Sequence, residues 1–595
     1  MGILQKIRRE YTTIKAFLGL HKWTSKLGPD QTNTLADDLE AVVNKYRANV
    51  AIRYEDKVIT YGELDQTANQ VAHWAHCQGL QAGDAVALFM ENRPEYIAVW
   101  YGLQKIGVIV GLINHNLTDQ ALAHCINVSA ARLVVTGADQ DIAVQTARDH
   151  IEGTLPIWTL GGKEGEDLSA ALTDQSTDRP DPMHRAGLRG RDVALYIYTS
   201  GTTGLPKAAR ITQARLAGMM RSFIAPCEVT ARDRVYVSLP LYHSTGGICG
   251  VGVALLTGAC LVLRQKFSAS SFWDDCVDYQ VSVIVYIGEL CRYLTNQPAH
   301  PRETAHTVRT GFGNGLRPDI WEQFQSRFGI PKLVEFYGST EGNVSFANVD
   351  GKVGAVGRIP SYLKRSFEHV AFVRFDMVEQ QPERGPDGFC IRVDTDEPGE
   401  AIGRLGTKAN TRFEGYKDPA ATQKKILRDV FEPGDQWFRT GDLMKKDAEG
   451  YIYFVDRVGD TFRWKGENVS TNEVSEVLSQ APAVATANVY GVEVPGADGR
   501  AGMAAITVKG EVDFDTLFDW MSQRLPKYAI PLFIRVQREA ETTGTFKYRK
   551  VELVEEGFNA EEINDPIWYL EPRLNKYVVL TSEAYADLRA GAVRF

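Results

Sequence analysis

The run Val193-Ala-Leu-Tyr-Ile-Tyr-Thr-Ser-Gly-Thr-Thr-Gly-Leu-Pro-Lys207 carries most of the fold information in this 595-residue chain. Its first part is a short apolar stretch rich in β-branched and aromatic residues, the composition of a buried strand. Directly after it come four hydroxyls (Thr199, Ser200, Thr202, Thr203), Gly201 and Gly204, and a closing Pro206-Lys207. Glycines admit positive φ and close backbone approach, hydroxyls and amides donate to phosphate oxygens, and the lysine adds positive charge. The spacing does not match G-x-x-x-x-G-K-[ST], so this is not a Walker A loop. Clusters of Ser, Thr and Gly are usually plain surface loops, but one that leaves a buried strand and ends in Pro-Lys is better read as a phosphate cradle.

Outward from this point the same strand signal repeats. VALFM (86–90), RLVVTG (132–137), RVYVSL (234–239) and VSVIVYIG (281–288) read as buried strands, with helix-length segments such as 61–78 and 93–107 between them. Strands joined by crossover helices imply parallel sheets and an α/β architecture. The uncharged stretch 235–263 is broken by Pro240 and several glycines, and its solid apolar part, 248–263, falls short of the roughly 20 residues a spanning helix needs. It reads as a buried helix, a turn at Gly258 and a strand. Beyond about residue 370 the pattern turns to hairpins, clearest at 440–457 with a turn over Asp447–Gly450. A polar segment then leads to a helix (472–479), strands near 484–493 and 501–508, and a helix near 514–524, enough for a small α+β domain.

Length suggests two to four domains, and 66 basic against 75 acidic residues give a net charge of −9. That balance argues against bulk nucleic-acid binding. The eight cysteines include no C-x-x-C pair, so neither a zinc knuckle nor a disulfide framework is indicated. The N-terminus differs from the rest. Lys6, Arg8, Arg9, Lys15, Lys22 and Lys26 accompany apolar residues at near-helical intervals. It reads first as a helix packed on the main body, while its basic, amphipathic character permits peripheral membrane contact. No signal peptide or spanning segment is expected, which suits a cytoplasmic protein.

Several ordered motifs carry a resemblance. Thr199–Lys207 resembles the phosphate loop of the adenylate-forming superfamily of acyl-CoA synthetases, luciferases and adenylation domains. Phe336-Tyr-Gly-Ser-Thr-Glu-Gly342 is similar to its adenine-and-magnesium motif, Arg439-Thr-Gly-Asp442 to its ribose motif, and Asp456-Arg457 to its hinge. Gly313-Asn-Gly-Leu-Arg317 and the run 459–469 resemble the fatty acid transport protein / very-long-chain acyl-CoA synthetase branch. The resemblance spans roughly residues 35–575. It implies a basic segment 1–34, an adenylation domain 35–457 with a β-rich subdomain, and a small mobile C-terminal domain 458–595.

The resemblance also implies roles. Thr199, Ser200, Gly201, Thr202, Thr203, Gly204 and Lys207 would hold ATP phosphates. Tyr337 would stack on adenine, Gly313, Asn314 and Gly315 would line the purine, Asp442 would meet the ribose and Arg457 the ribose or phosphate, and Gly338, Thr340 and Arg463 would also belong to the ATP/AMP site. Thr199 and Glu341 would bind Mg2+, a hard cation that takes oxygen ligands. Lys547 would bridge carboxylate and α-phosphate, with Lys550 a nearby competitor, and His243 would sit beside the incoming carboxylate. Gly459 and Asp460 would form the hinge, and Tyr286, Gly288 and Glu289 would lie at the acyl tunnel. The implied reaction joins a long-chain fatty acid to CoA at the expense of ATP. A sterol side-chain acid, a carrier-protein acceptor, or fatty-acid uptake through CoA trapping are the alternatives.

Overall fold

In the computed structural model the strand Val193–Thr199 forms as the sequence predicts, and it is one of the inner strands of a seven-stranded sheet. The structure describes all residues except 1, 2, 200–205, 377, 378, 409, 410, 466, 496, 498, 541–549 and 594. The predicted phosphate-loop residues Ser200, Gly201, Thr202, Thr203 and Gly204, and the predicted catalytic Lys547, therefore lie outside the described residues. Contacts divide the chain into two units. The first comprises 1–316, 323–353 and 404–427, and the second 317–322, 354–403 and 428–595.

The first unit holds two large sheets. The seven-stranded one runs Glu166–Asp167, Ile157–Leu160, Ala131–Gly137, Ala85–Phe89, Ile109–Leu112, Val193–Thr199, Lys207–Thr212. Its neighbours are parallel except the last pair, in which Thr199 faces Lys207 antiparallel. The eight-stranded sheet runs Ser345–Asn348, Leu333–Gly338, Thr310–Asn314, Val283–Ile287, Arg234–Val237, Cys260–Leu263, Val50–Tyr54, Lys57–Thr60. Here only the outermost pair at each edge is antiparallel. Val86–Phe89 and Val283–Tyr286 are almost wholly buried, as strands covered on both faces must be.

The crossover helices begin where the sequence signals them. Helix Tyr61–Cys77 starts at a capping box, in which Thr60 Oγ1 accepts from the Glu63 amide (3.2 Å) and the Glu63 carboxylate accepts from the Thr60 amide (2.8 Å). Helix Pro94–Lys105 has proline at its first turn. The stretch 235–263 resolves into a strand, a π-helical turn Ser244–Gly250, helix Val251–Leu255 and strand Cys260–Leu263. No helix among the described residues is long and apolar enough to cross a membrane.

The second unit contains a six-stranded sheet whose main path is Gly357–Arg358, Tyr451–Arg457, Gln436–Lys446, Gly399–Arg404, Val370–Val373. The predicted hairpin is there, closed by Asp447 Oδ1, which accepts from the amides of Glu449 and Tyr451 (both 2.9 Å). A five-stranded sheet follows: Val484–Glu493, Arg500–Val508, Phe533–Val536, Ile567–Glu571, Lys576–Val579. Helices Thr471–Ser479 and Phe514–Ser522 pack on it over a core including Val474, Leu478, Met503, Ile506, Leu517 and Phe533. The two helices are tied by Trp520 Nε1 donating to the Val477 carbonyl at 2.9 Å. The eight cysteines are all free, and seven are buried. Burial pushes the Cys125 and Cys227 thiols up to about 12, so neither is a nucleophile at neutral pH.

Candidate active site

In the first unit Thr199 and Lys207 stand opposite each other as antiparallel partners, at the two ends of the segment that the sequence reads as a phosphate loop. The chain beside this strand pair is 415–417. Arg210 N donates to Gly415 O (3.1 Å), Lys417 N to Ala208 O (3.0 Å), and Ala209 bridges Tyr416. This pairing fixes Tyr416, which is 5% exposed. Its phenol donates to Glu341 Oε1 at 2.6 Å and also hydrogen-bonds the Thr199 side chain, while Lys207 Nζ lies 6.0 Å from its ring. Burial first, and then the Glu341 carboxylate, push the phenol's pKa far up, so it stays a donor. The two residues expected to bind magnesium therefore share one hydrogen-bond partner. A hydroxyl and a carboxylate drawn together beside a phosphate loop fit a hard cation that completes its shell with phosphate oxygens and water. Among the described residues no cluster of three or more His, Cys, Asp or Glu offers an all-protein metal cage, and phosphate-assisted binding needs none.

The backbone that presents Glu341 is held by a residue the sequence reading did not single out. Arg215, at the start of helix Gln213–Arg221, donates Nε to the Thr340 carbonyl and Nη2 to the Ser339 carbonyl, both at 2.9 Å. Ser339 Oγ accepts from the Gly342 amide (3.1 Å). Thr340 Oγ1 meets Ser244 Oγ at 3.1 Å, which ties the Gly338–Gly342 segment to the turn that His243 caps. In that turn His243 Nδ1 accepts from the Thr245 amide at 3.5 Å, and Thr245 Oγ1 donates to Asn314 Oδ1 at 3.4 Å. His243, Thr340, Glu341 and Asn314 thus belong to one connected polar network. Tyr337 is half-buried at the end of its strand, its ring stacked near Phe346 with centroids 5.9 Å apart, and Gly338 is exposed.

Beneath the Gly313-Asn314-Gly315 loop lies Glu335, a 1% exposed carboxyl. It accepts from the Leu316 amide (3.0 Å) and the Tyr286 hydroxyl (2.8 Å). Gly313 has to be glycine, because a Cβ there would come within 2.1 Å of the Tyr286 carbonyl. Tyr286 and Gly288, expected at the acyl tunnel, lie under the Gly313–Gly315 loop, where a Cβ on Gly288 would strike the Gly315 carbonyl at 1.7 Å. Glu289 pairs with Arg292, both its oxygens within 3.0 Å of Nε. Burial pushes the Glu335 carboxyl up to about 8, so it is protonated at pH 7. A free glutamate titrates near ~4.3, and between these values only the folded state holds the proton. Stability therefore falls as pH rises through this window, by at most about 1.4 kcal/mol per pH unit. Glu335→Gln keeps the shape and stays neutral. Its melting temperature is expected to vary less than wild type between pH 5 and 8 and to exceed it near pH 8. A parallel pH profile for the two proteins would show that Glu335 is ionised when folded.

In the second unit Asp442 and Arg457 are cross-strand partners, their side chains 3.6 Å apart (Nε to Oδ1). Thr440-Gly441 forms a kink inside the strand Gln436–Lys446. Gly441 takes φ +77°, and its amide donates to Glu400 Oε1 at 3.1 Å. Glu400 is fully buried and receives both Nε and Nη2 of Arg439 (3.1 and 2.8 Å). An ion pair anchored on the buried Glu400 thus holds the kink that sets the direction of Asp442, and no spacing in the sequence singles out Glu400.

Asp456 is buried and accepts from the amides of Arg457 (2.9 Å) and Thr471 (2.6 Å). Lys550 Nζ donates to Thr471 Oγ1 (2.9 Å) and pairs with Asp460 Oδ2 (3.2 Å). The turn after Arg457 is closed by the Asp460 and Thr461 amides, which donate to the Arg457 carbonyl. A Cβ on Gly459 would meet nothing within 4 Å, and its φ is not positive. This conformation does not require glycine there. Arg463 is exposed on the short strand Phe462–Trp464.

A hydroxyl and a carboxylate brought to one phenol beside the hairpin strands that end at Thr199 and begin at Lys207, next to a tightly packed Gly313–Gly315 loop, would suit a nucleotide-activating enzyme. A family model described as "AMP-binding enzyme" matches residues 39–364, and "AMP-binding enzyme C-terminal domain" matches 473–547. The chain belongs to the AMP-binding, adenylate-forming enzymes. Within them it falls in the long-chain fatty acid transport protein branch. It is 42% identical over 569 residues to long-chain fatty acid transport protein 6 of Mus musculus, covering 94% of this chain and 91% of that protein. Among solved structures, an anthranilate CoA ligase bound to anthranoyl-AMP matches with TM-score 0.76 at 20% identity over 91% of this chain and 100% of that one. A Mycobacterium tuberculosis fatty acyl CoA synthetase matches with TM-score 0.63 at 23% identity, over 88% of this chain and 98% of that one. These two likenesses concern the fold.

Proposed function

We propose that the chain is an ATP-dependent CoA ligase for long-chain or very-long-chain fatty acids, working in the cytoplasm. In the first half-reaction a carboxylate oxygen attacks the α-phosphorus of ATP. The bond to the β-phosphate oxygen breaks, and pyrophosphate leaves. In the second the CoA sulfur attacks the acyl carbon of the adenylate, AMP departs with the electron pair of the broken C–O bond, and the thiol proton passes to solvent. A carboxylate is a poor acyl donor and AMP a good leaving group, so no covalent protein nucleophile is needed. The seven buried cysteines, whose thiols burial holds protonated, agree with that.

The observation that carries the reading is the Tyr416 hydroxyl meeting both Thr199 and Glu341 beside Lys207. Mg2+, when bound, would neutralise phosphate charge there, with Thr199 and Glu341 holding it. Arg215 and the Ser244–Thr340 contact fix the Glu341 backbone in advance, so little reorganisation remains when ATP binds. Asp442 can accept from both ribose hydroxyls, as acids do in dinucleotide sites, with Arg457 adding a cation to ribose or phosphate. Ser200, Gly201, Thr202, Thr203 and Gly204 would wrap the phosphates, and Lys547 would bring carboxylate and α-phosphate together. Between the half-reactions the domain after 457–460 would swing. A glycine at 459 that this conformation does not need suits a residue that must adopt another.

The long-chain preference follows from the branch and from the ~0.8 kcal/mol gained per buried CH₂. The test is AMP release across linear carboxylic acids from short to very long plus a sterol acid, with and without CoA. CoA-dependent turnover that peaks at long chains is the expected result. Adenylate that CoA cannot discharge would point to a carrier-protein ligase, and absence of ATP consumption would overturn the reading.

A further inference from the structure

Asn343, two residues beyond Glu341 in the first unit, is 9% exposed and commits its amide to a distant stretch of chain. Its Nδ2 donates to the Arg404 carbonyl at 2.8 Å and to the Thr411 carbonyl at 3.2 Å, 61 and 68 positions away. Its Oδ1 is buried with no hydrogen-bond partner among the described residues. A buried oxygen left unpaired is costly, so the side chain is held there for its two donors. A planar NH2 carries two hydrogens and can hold two carbonyls at once, which the single hydrogen of a serine or threonine hydroxyl cannot.

The two carbonyls bracket a turn. Within it the Gly406 amide donates to the same Thr411 carbonyl (3.0 Å), and the Thr411 amide donates to the Lys408 carbonyl (2.9 Å). The chain then runs without regular structure through 412–415 to Tyr416. Beyond that point it is well fixed, because the Tyr416 amide donates to Thr422 Oγ1 (2.9 Å) and the Lys417 amide to the Ala208 carbonyl (3.0 Å). Before that point the tie is Asn343. The other side of Glu341 is held by Arg215 through the Ser339 and Thr340 carbonyls. Glu341 therefore stands between two anchors, and one of them also grips the stretch that leads to its phenol partner.

We propose that Asn343 is a positioning residue for the cation: by tying the turn 404–411 to the Glu341 segment it sets Tyr416 against Glu341 and Thr199, and so sets the affinity of the site for Mg2+ with ATP. This role rests on Glu341 and Thr199 holding the cation, as proposed for the reaction. Asn343 touches neither ligand through its side chain and acts through Tyr416. Groups that orient a metal ligand are commonly worth ~10–100-fold in affinity. A residue that merely closed a turn would, when removed, lower stability and leave the affinity of the folded molecules as it was.

Two measurements on the full chain test this. The first is binding of Mn2+ with a non-hydrolysable ATP analogue, read by electron paramagnetic resonance in wild type, Asn343→Ala, Tyr416→Phe and the double variant. Asn343→Ala is expected to bind about tenfold more weakly. Added to Tyr416→Phe it is expected to change binding by less than about twofold, because the two side chains act on one property. The second is amide hydrogen exchange of the nucleotide-free protein. Gly406 and Lys417 are expected to exchange at least about tenfold faster in Asn343→Ala, with the amides of the five-stranded sheet unchanged. Asn343→Ser, which keeps one donor, is expected to fall between wild type and Asn343→Ala in both and carries the test if the alanine variant does not fold. Unchanged Mn2+ binding, an effect that adds in full to that of Tyr416→Phe, or unchanged exchange at Lys417 would each overturn the proposal. Wild type that binds no Mn2+ with nucleotide would overturn the cation reading itself, while the exchange measurement, which needs no ligand, tests the tie to Tyr416 separately.

Discussion

Lys547→Ala is expected to slow acyl-adenylate formation at least about a hundredfold, the scale seen when one preorganised donor to a developing charge is removed. Thioester formation from supplied acyl-adenylate should stay within a few-fold of wild type, because the carboxylate and α-phosphate no longer need to be brought together. The competing lysine makes the matching control. Lys550 is already committed, with Nζ on Thr471 Oγ1 and Asp460 Oδ2 beside the buried Asp456 carboxylate. Lys550→Ala should therefore lower the melting temperature while leaving the adenylation rate, per folded molecule, within a few-fold. Rapid-quench measurement of each half-reaction separates the two. A Lys547→Ala protein that adenylates at near wild-type rate, with Lys550→Ala inactive, would move the role to Lys550.

The second large effect is expected at Glu341. Glu341→Gln keeps the side-chain shape and removes the charge that a hard cation seeks, so kcat/KM for ATP should fall about a hundredfold or more and half-saturation by Mg2+ should shift upward. Tyr416→Phe should act on the same property more mildly. The ring stays in its buried place, so the melting point should hold, but the hydroxyl that donates to Glu341 and accepts from Thr199 is lost. Groups that orient a metal ligand are commonly worth ~10–100-fold in affinity. Electron paramagnetic resonance of Mn2+ bound with a non-hydrolysable ATP analogue reads this without turnover. Weaker Mn2+ binding in Tyr416→Phe supports an orienting phenol. Unchanged binding would limit Tyr416 to the metal-free protein, and tighter binding would make it the cation's competitor.

Much of the fold was legible in the sequence because its signals are local. Buried parallel strands are continuous apolar runs, so Ala85–Phe89, Ala131–Gly137 and Val283–Ile287 lie within about two residues of where the runs place them. The hairpin around Asp447 shows in its turn chemistry, and the motif order locates Thr199, Glu341, Asp442 and Arg457 before any contact is known. The residues that aim those groups leave no such trace. Tyr416 lies 75 positions from Glu341, Arg215 about 125 from Thr340, and Glu400 39 from Arg439. A lone tyrosine or arginine has no period or spacing, and only sheet pairing brings these partners together. Tyr286, on strand Val283–Ile287 beside Thr310–Asn314, likewise meets Glu335, 49 positions away, only through sheet pairing.

The sequence by itself determined the α/β class, the order of the nucleotide-handling motifs and the amphipathic N-terminus, because composition, periodicity and short spacings are written along the chain. Tertiary structure alone decided that one phenol joins both candidate magnesium ligands, that Glu335 is buried deeply enough to keep its proton, and that the N-terminal helix Ile3–Thr24 buries Thr13 and Ala16 while Ile3, Leu4, Ile7 and Tyr11 stay exposed. Each of these depends on which distant segments meet and which surface they leave open, and that is fixed by packing rather than by the chain near the residue.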